Sequence, residues 1–351
     1  LNLRIPPPPS SHPAPPTLEL PVIKVGDADA APSTAPAAGE VWPAPKPAPP
    51  TATTELRFPT SQAAPVRFVP ASPMVPLWRR HLVDIVGTGG DGANLFNVST
   101  AASFVVAAAG GRVAKHGNRA VSSSSGSADL LAAAGVTLAL APEQVAACGE
   151  KLGVGFLFAP AHHSAMRHAI GPRREMGLRT IFNILGPMTN PAGVRRLLIG
   201  VYDNSLCRPV ATVLQRLGAE RVLVVYSGDG LDEISTAAPT HVVEAGPGGI
   251  EEYEVTPEAL GVPGTSLDGL EVNNALESLD LIRMALCGGP GERAEQARRL
   301  VALNAGAALY AAGLQPSIAD GVAEAMRLQQ TGKPWLRVEA LADYTAALRE
   351  A

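Results

Sequence analysis

Cysteine is scarce in this 351-residue chain: Cys148, Cys207 and Cys287 lie far apart, with no Cys-x-x-Cys pair. That argues against a disulfide framework or a thiolate metal site and fits a reducing compartment. Long apolar runs are missing too. None approaches the roughly 20 residues a spanning helix needs, and the first residues carry no charged-then-apolar signal pattern. The expectation is a soluble, cytoplasmic chain with no membrane partner. Basic charge is also in short supply. Residues 1–80 hold seven basic and five acidic side chains, leaving 21 basic against 27 acidic in the rest. A nucleic-acid binder should be basic, so no nucleic acid is expected. Aromatic residues make up only 4%, while Ala and Gly abound, which suits close packing of helices on a sheet.

What is present falls into two unlike parts. Residues 1–80 carry 20 of the 33 prolines and two of the 35 glycines. Proline at this density removes amide donors and turns its neighbours away from helix, so an extended, largely disordered leader is expected. From about His81 the texture becomes α/β. Strands are expected at 82–86, 112–115, 154–158, 196–202 and 221–226, with a peripheral pair at 241–244 and 250–255. Helices are expected at 99–109, 127–134, 142–152, 163–179, 206–217, 293–312, 317–330 and 335–350. Strands alternating with helices imply an α/β fold with a mostly parallel sheet flanked by helices.

The chemistry concentrates between residues 84 and 129. Gly87-Thr-Gly-Gly-Asp-Gly92 follows a strand and precedes a helix, where glycines let the backbone approach a ligand and free amides grip phosphate oxygens. It is neither the dinucleotide fingerprint nor a Walker loop, because the spacing differs and no Gly-Lys-Ser/Thr closes it. Asn97, Ser99 and Thr100 crowd the next helix start, where a cap needs only one such side chain. Lys115, read as a strand end, is followed by His116, Asn118 and Arg119, donors suited to an anion at a sheet crevice. The run from Ser122 to Ser127 adds hydroxyls and amides at a helix N-terminus. Asp232-Glu233, just after a strand, suggests Mg²⁺, which prefers one or two carboxylates plus water and substrate phosphates. The segment from Pro160 through His162, His163 and Met166 to Arg173 and Arg174 offers a planar arginine fork for a carboxylate.

These motifs, with Phe182-Asn-Ile-Leu-Gly-Pro-Met-Thr-Asn-Pro191 and Ser122 to Asp129, together resemble the anthranilate phosphoribosyltransferase family over about residues 81–351, in the right order. The resemblance implies an α/β domain plus a small helical domain, to which residues 160–180 contribute, with the site between them. It implies phosphoribosyl pyrophosphate and anthranilate as substrates, Mg²⁺ as cofactor, and a homodimer. By the same resemblance, Gly87, Gly89, Gly90 and Asp91 would hold pyrophosphate. Asn97, Ser99, Thr100 and Lys115 would hold the phosphoribosyl part, with Ser127 assisting. Ser99, Asp232 and Glu233 would ligate Mg²⁺, and His116, Asn118, His163, Arg173 and Gly186 would line the path and seat of anthranilate. No side chain stands out as a general acid or base. Two departures go with it. The family opens with helices that build much of the small domain and the dimer surface, where this chain is proline-rich. Leu95 stands where the family usually has threonine.

Overall fold

Short runs dominated by Val, Ile and Leu become the centre of the sheet. In the computed structural model, which describes residues 81–120, 124–162 and 181–350, five parallel strands form: β1 (Leu82–Gly87), β2 (Arg112–Gly117), β3 (Val154–Phe158), β4 (Arg196–Gly200) and β5 (Arg221–Ser227). An antiparallel pair, β6 (Thr240–Gly246) and β7 (Gly249–Val255), extends one side. The strand order is β3-β2-β1-β4-β5-β6-β7. The leader expected over 1–80 and the helix expected over 163–179 lie outside the described residues.

The helices are α1 (Val98–Ala108), α2 (Ser127–Ala133), α3 (Pro142–Leu152), α4 (Ala159–His162), α5 (Ile181–Met188), α6 (Cys207–Arg216), α7 (Ala275–Leu286), α8 (Glu292–Ala311), α9 (Ile318–Gln330) and α10 (Lys333–Glu350). Alternate strand residues feed opposite layers, as the pleat requires. Ile85, Leu198, Leu223 and Val225 join a core that includes residues of α1, α7, α8 and α9. Leu197, Ile199, Val222 and Val224 pack with Val210, Ala211 and Leu214 of α6. Each fully buried side chain of this size contributes about 1.5–3 kcal/mol of apolar transfer. Helix α8 is buried on nearly every side and runs through the larger core. Strand β7 ends the sheet, carrying Glu251, Glu252 and Glu254 on its exposed positions.

Most expected elements are found within two residues of their bounds. Three differences matter. Strand β2 continues through His116 and Gly117, so Lys115 is mid-strand and buried rather than at a strand end. Strand β4 stops at Gly200 instead of 202. Helices α5 and α7 were not expected. The second is announced by Asn274, whose side chain accepts from the Leu276 and Glu277 amides, and by the buried spacing of Ser278, Leu281, Ile282 and Ala285.

Candidate functional site

The parallel strands bring their carboxyl ends to one rim, with Gly87 opposite Gly200 and Gly117 opposite Phe158. The loops leaving that rim surround a cavity of about 740 Å³. Gly87, Gly89, Gly90, Asp91, Asn97, Ser99, Thr100, Lys115, His116, Asn118, Ser127, Gly186, Asp232 and Glu233 all line it. The remaining two expected residues, His163 and Arg173, lie outside the described residues.

Each wall follows from local chemistry. After β1 the chain turns through Gly89, Gly90 and Gly92 at φ 66°, 82° and 81°, a backbone region that side chains with a Cβ rarely adopt. The acid loop presses against the sheet so closely that a Cβ at Gly200 would fall 1.5 Å from the Asp232 carbonyl oxygen, and one at Gly87 would fall 2.4 Å from its carboxylate. The Gly89 amide, expected to face a phosphate, donates to Asp232 Oδ2 at 2.7 Å. The glycine turn and the acid pair are thus joined directly.

Asn97 stands at the start of α1, yet its side chain makes no cap hydrogen bond, against the expectation from sequence. It is drawn sideways instead. Its Nδ2 donates to the Ser125 carbonyl at 3.0 Å, and its Oδ1 accepts from Ser125 Oγ at 3.0 Å and Ser278 Oγ at 2.8 Å. Asn97 is therefore a joint between α1, the serine loop and α7. Thr100 Oγ1, buried in the first turn of α1, has no partner among the described residues. A buried hydroxyl left so costs free energy unless a ligand oxygen meets it. Asp129 shapes the opposite lip by accepting from Arg119, the Ala120 amide and the Gly126 amide. Those bonds hold its carboxyl below the usual range against desolvation, the largest opposing cause.

The electrostatics centre on Lys115. Its Nζ donates to the Ile85 carbonyl at 2.6 Å, and burial lowers its pKa against the pull of Asp84, Glu233 and Asp232. Asp84, fully buried, accepts from the His116 amide at 3.2 Å and Asn190 Nδ2 at 2.7 Å. Burial raises it from 3.8 to about 6 despite Lys115. Burial pushes Asp232 and Glu233 upward as well, reinforced for Asp232 by Asp91 and for Glu233 by Asp232. Acids crowded in this way, with a hydroxylated helix turn beside them, form an all-oxygen donor set that fits a hard divalent cation. Among the described residues no three His, Cys, Asp or Glu side chains group to hold a metal alone.

The cavity also takes in Asn94, Ser125, His162, Phe182, Asn183 and Thr189, beyond the residues expected to bind. The Phe182 to Pro191 motif supplies three of these, and Asn190 within it ties the segment to Asp84 and to the Ala114 carbonyl at 2.8 Å. Leu95 lines the cavity too and forms a bridge with Glu271.

Residues 79–335 match the profile of the glycosyl transferase family, a/b domain. The anthranilate phosphoribosyltransferase of Marinobacter nauticus is 63% identical over 264 residues, spanning 75% of this chain and 77% of that one. Among solved structures, the anthranilate phosphoribosyltransferase of Thermus thermophilus superimposes with a TM-score of 0.71 at 47% identity, covering 76% of this chain and 79% of its own. The Saccharomyces cerevisiae enzyme in complex with phosphoribosyl pyrophosphate and Mg gives 0.67 at 26% identity, covering 76% and 74%. With the fold, the cavity and this similarity in agreement, the chain belongs to the anthranilate phosphoribosyltransferase family.

Proposed function

We infer that this chain transfers the phosphoribosyl group of phosphoribosyl pyrophosphate to the amine of anthranilate, giving phosphoribosyl-anthranilate and pyrophosphate for tryptophan biosynthesis. The observation that carries the reading is the convergence of the glycine turn, the hydroxylated start of α1 and the acid pair Asp232-Glu233 in one cavity. The yeast relative is described in complex with the same donor and Mg.

In this mechanism the chain's own groups mainly position. The start of α1 offers Ser99, Thr100 and Asn97 to the phosphoribosyl part, with the helix N-terminus favouring its negative charge. The turn from Gly87 to Asp91 faces the pyrophosphate. Ser99, Asp232 and Glu233 would hold Mg²⁺, which when bound stabilises charge developing on the departing pyrophosphate. Lys115 sets its Nζ among these acids, whose charges pull its pKa up against the lowering by burial. Anthranilate would approach past His116, Asn118, His163 and Gly186, and placing its amine opposite the leaving group compensates for weak nucleophilicity. No covalent intermediate is required.

The direct test is the fall in anthranilate fluorescence on adding phosphoribosyl pyrophosphate and Mg²⁺. A steady decrease is expected, and unchanged fluorescence with folded protein would overturn the reading. Arg173 is assigned to the anthranilate carboxylate through the family resemblance. Arg173→Ala should raise KM for anthranilate about tenfold or more while hardly moving that for the sugar donor. Equal shifts in both constants would remove the assignment.

Residues 81–351 are read as the transferase unit, residues 160–180 as its contribution to a small helical domain, and residues 1–80 as a leader. A homodimer and a cytoplasmic setting complete the reading. No helix among the described residues is long and apolar enough to cross a membrane.

A further inference from the structure

Asp232 and Glu233 sit on the loop that leaves β5, and that loop is held at two points. On one side Asp232 is pinned by the Gly89 amide and by the space Gly200 leaves for its carbonyl. On the other side the next residue, Ile234, pairs its backbone with a side chain. Asn304, in the middle of α8 and fully buried, accepts from the Ile234 amide through Oδ1 at 2.9 Å. Its Nδ2 donates to the Ile234 carbonyl and to the Leu300 carbonyl, both at 3.0 Å. One side chain thus plays the part of a neighbouring strand for Ile234.

Asparagine is a poor choice for a helix interior, and a buried amide costs free energy unless its hydrogen bonds are made. Here both donor hydrogens and the oxygen are engaged. The bond to Leu300 fixes the side chain against its own helix, and the pair to Ile234 fixes the loop against α8. Glu233 is left between two anchors, one residue from each.

We propose that Asn304 is a positioning residue that sets Asp232 and Glu233 for the divalent cation and pyrophosphate. The proposal rests on the reading of those two carboxylates as metal ligands. Asn304 touches neither substrate nor metal; it acts through the backbone of Ile234.

The test measures metal binding without turnover. Mn²⁺ standing in for Mg²⁺ is titrated by its EPR signal into the full chain with phosphoribosyl pyrophosphate present and anthranilate absent. Asn304→Ala should bind Mn²⁺ about tenfold or more weakly, the usual scale for losing a group that orients a ligand. Asn304→Ser is read in the same way if the alanine variant does not fold. Gln329→Ala is the control. It removes another fully buried amide that donates to α8, at the Arg298 carbonyl, and should leave Mn²⁺ binding within about twofold of the parent. Glu233→Gln separates the two layers of inference. Retained Mn²⁺ affinity in that variant would undo the ligand reading itself. If Glu233→Gln loses the metal while the Asn304 variants bind like the parent, or Gln329→Ala weakens binding equally, the role of Asn304 is overturned.

Discussion

Asp232→Asn is expected to melt no lower than the parent chain while losing about a hundredfold or more in kcat. Asp232 is buried beside Glu233 and feels the charge of Asp91. Like charges out of water raise the energy of the folded state. Asparagine has nearly the same volume and keeps an oxygen to accept from the Gly89 amide, which now bonds to Asp232 at 2.7 Å. The fold therefore loses a repulsion and keeps its hydrogen bond. The reaction loses an anionic oxygen from the group assigned to Mg²⁺ and the departing pyrophosphate. Thermal melting and the anthranilate fluorescence assay, run on the same preparation, check both halves. A variant that melts well below the parent yet turns over normally would show that Asp232 serves the fold and not the reaction.

Lys115→Met should instead strike at stability, costing about 3–5 kcal/mol near neutral pH. Lys115 faces Asp84, with which it is buried, and feels Glu233 and Asp232 as well. Removing it leaves the Asp84 carboxylate uncompensated in the core. The pH dependence has a definite sign. In the parent, Asp84 is raised from 3.8 to about 6. Stability from its protonated form is therefore present below about pH 4 and lost as pH rises through about 6. Without Lys115 the native pKa moves higher still, so the loss continues to higher pH. The deficit relative to the parent should be largest above about pH 7 and shrink toward about pH 4. Urea unfolding across that range measures it; a deficit independent of pH would remove the Lys115–Asp84 pair from the explanation.

Much of the site was legible because several motifs carry their chemistry locally. Gly87 to Gly92 read as a turn that brings backbone close to a ligand, and Gly89, Gly90 and Gly92 do take positive φ beside the cavity. Asp232-Glu233 read as a metal pair because it follows a strand in a chain with an expected phosphate site, and the two residues do line the cavity. Lys115 was harder. The polar residues after it suggested a turn, whereas its strand continues because Asp84 and Ile85 satisfy its neighbour's amide and its own ammonium from inside. Asn97 misled in the opposite direction. Its place before a helix is typical of a cap, but Ser125 and Ser278, remote in sequence, compete for its amide and win. Asn304 was invisible, since nothing around it in sequence reveals that Ile234, 70 residues earlier, lies against it. Local turns and caps can be read from neighbours along the chain; pairing across the fold cannot.

The sheet ends on β7, where backbone donors and acceptors could otherwise recruit another chain. Glu252 is taken up by Arg208 and His241, but Glu251 and Glu254 on its exposed positions repel a like strand as it approaches, a safeguard against fibrillar association. Because that protection is carried by charge, it is screened as salt concentration rises. For this chain, high salt therefore threatens colloidal behaviour at the end of the sheet, quite apart from anything it does to catalysis.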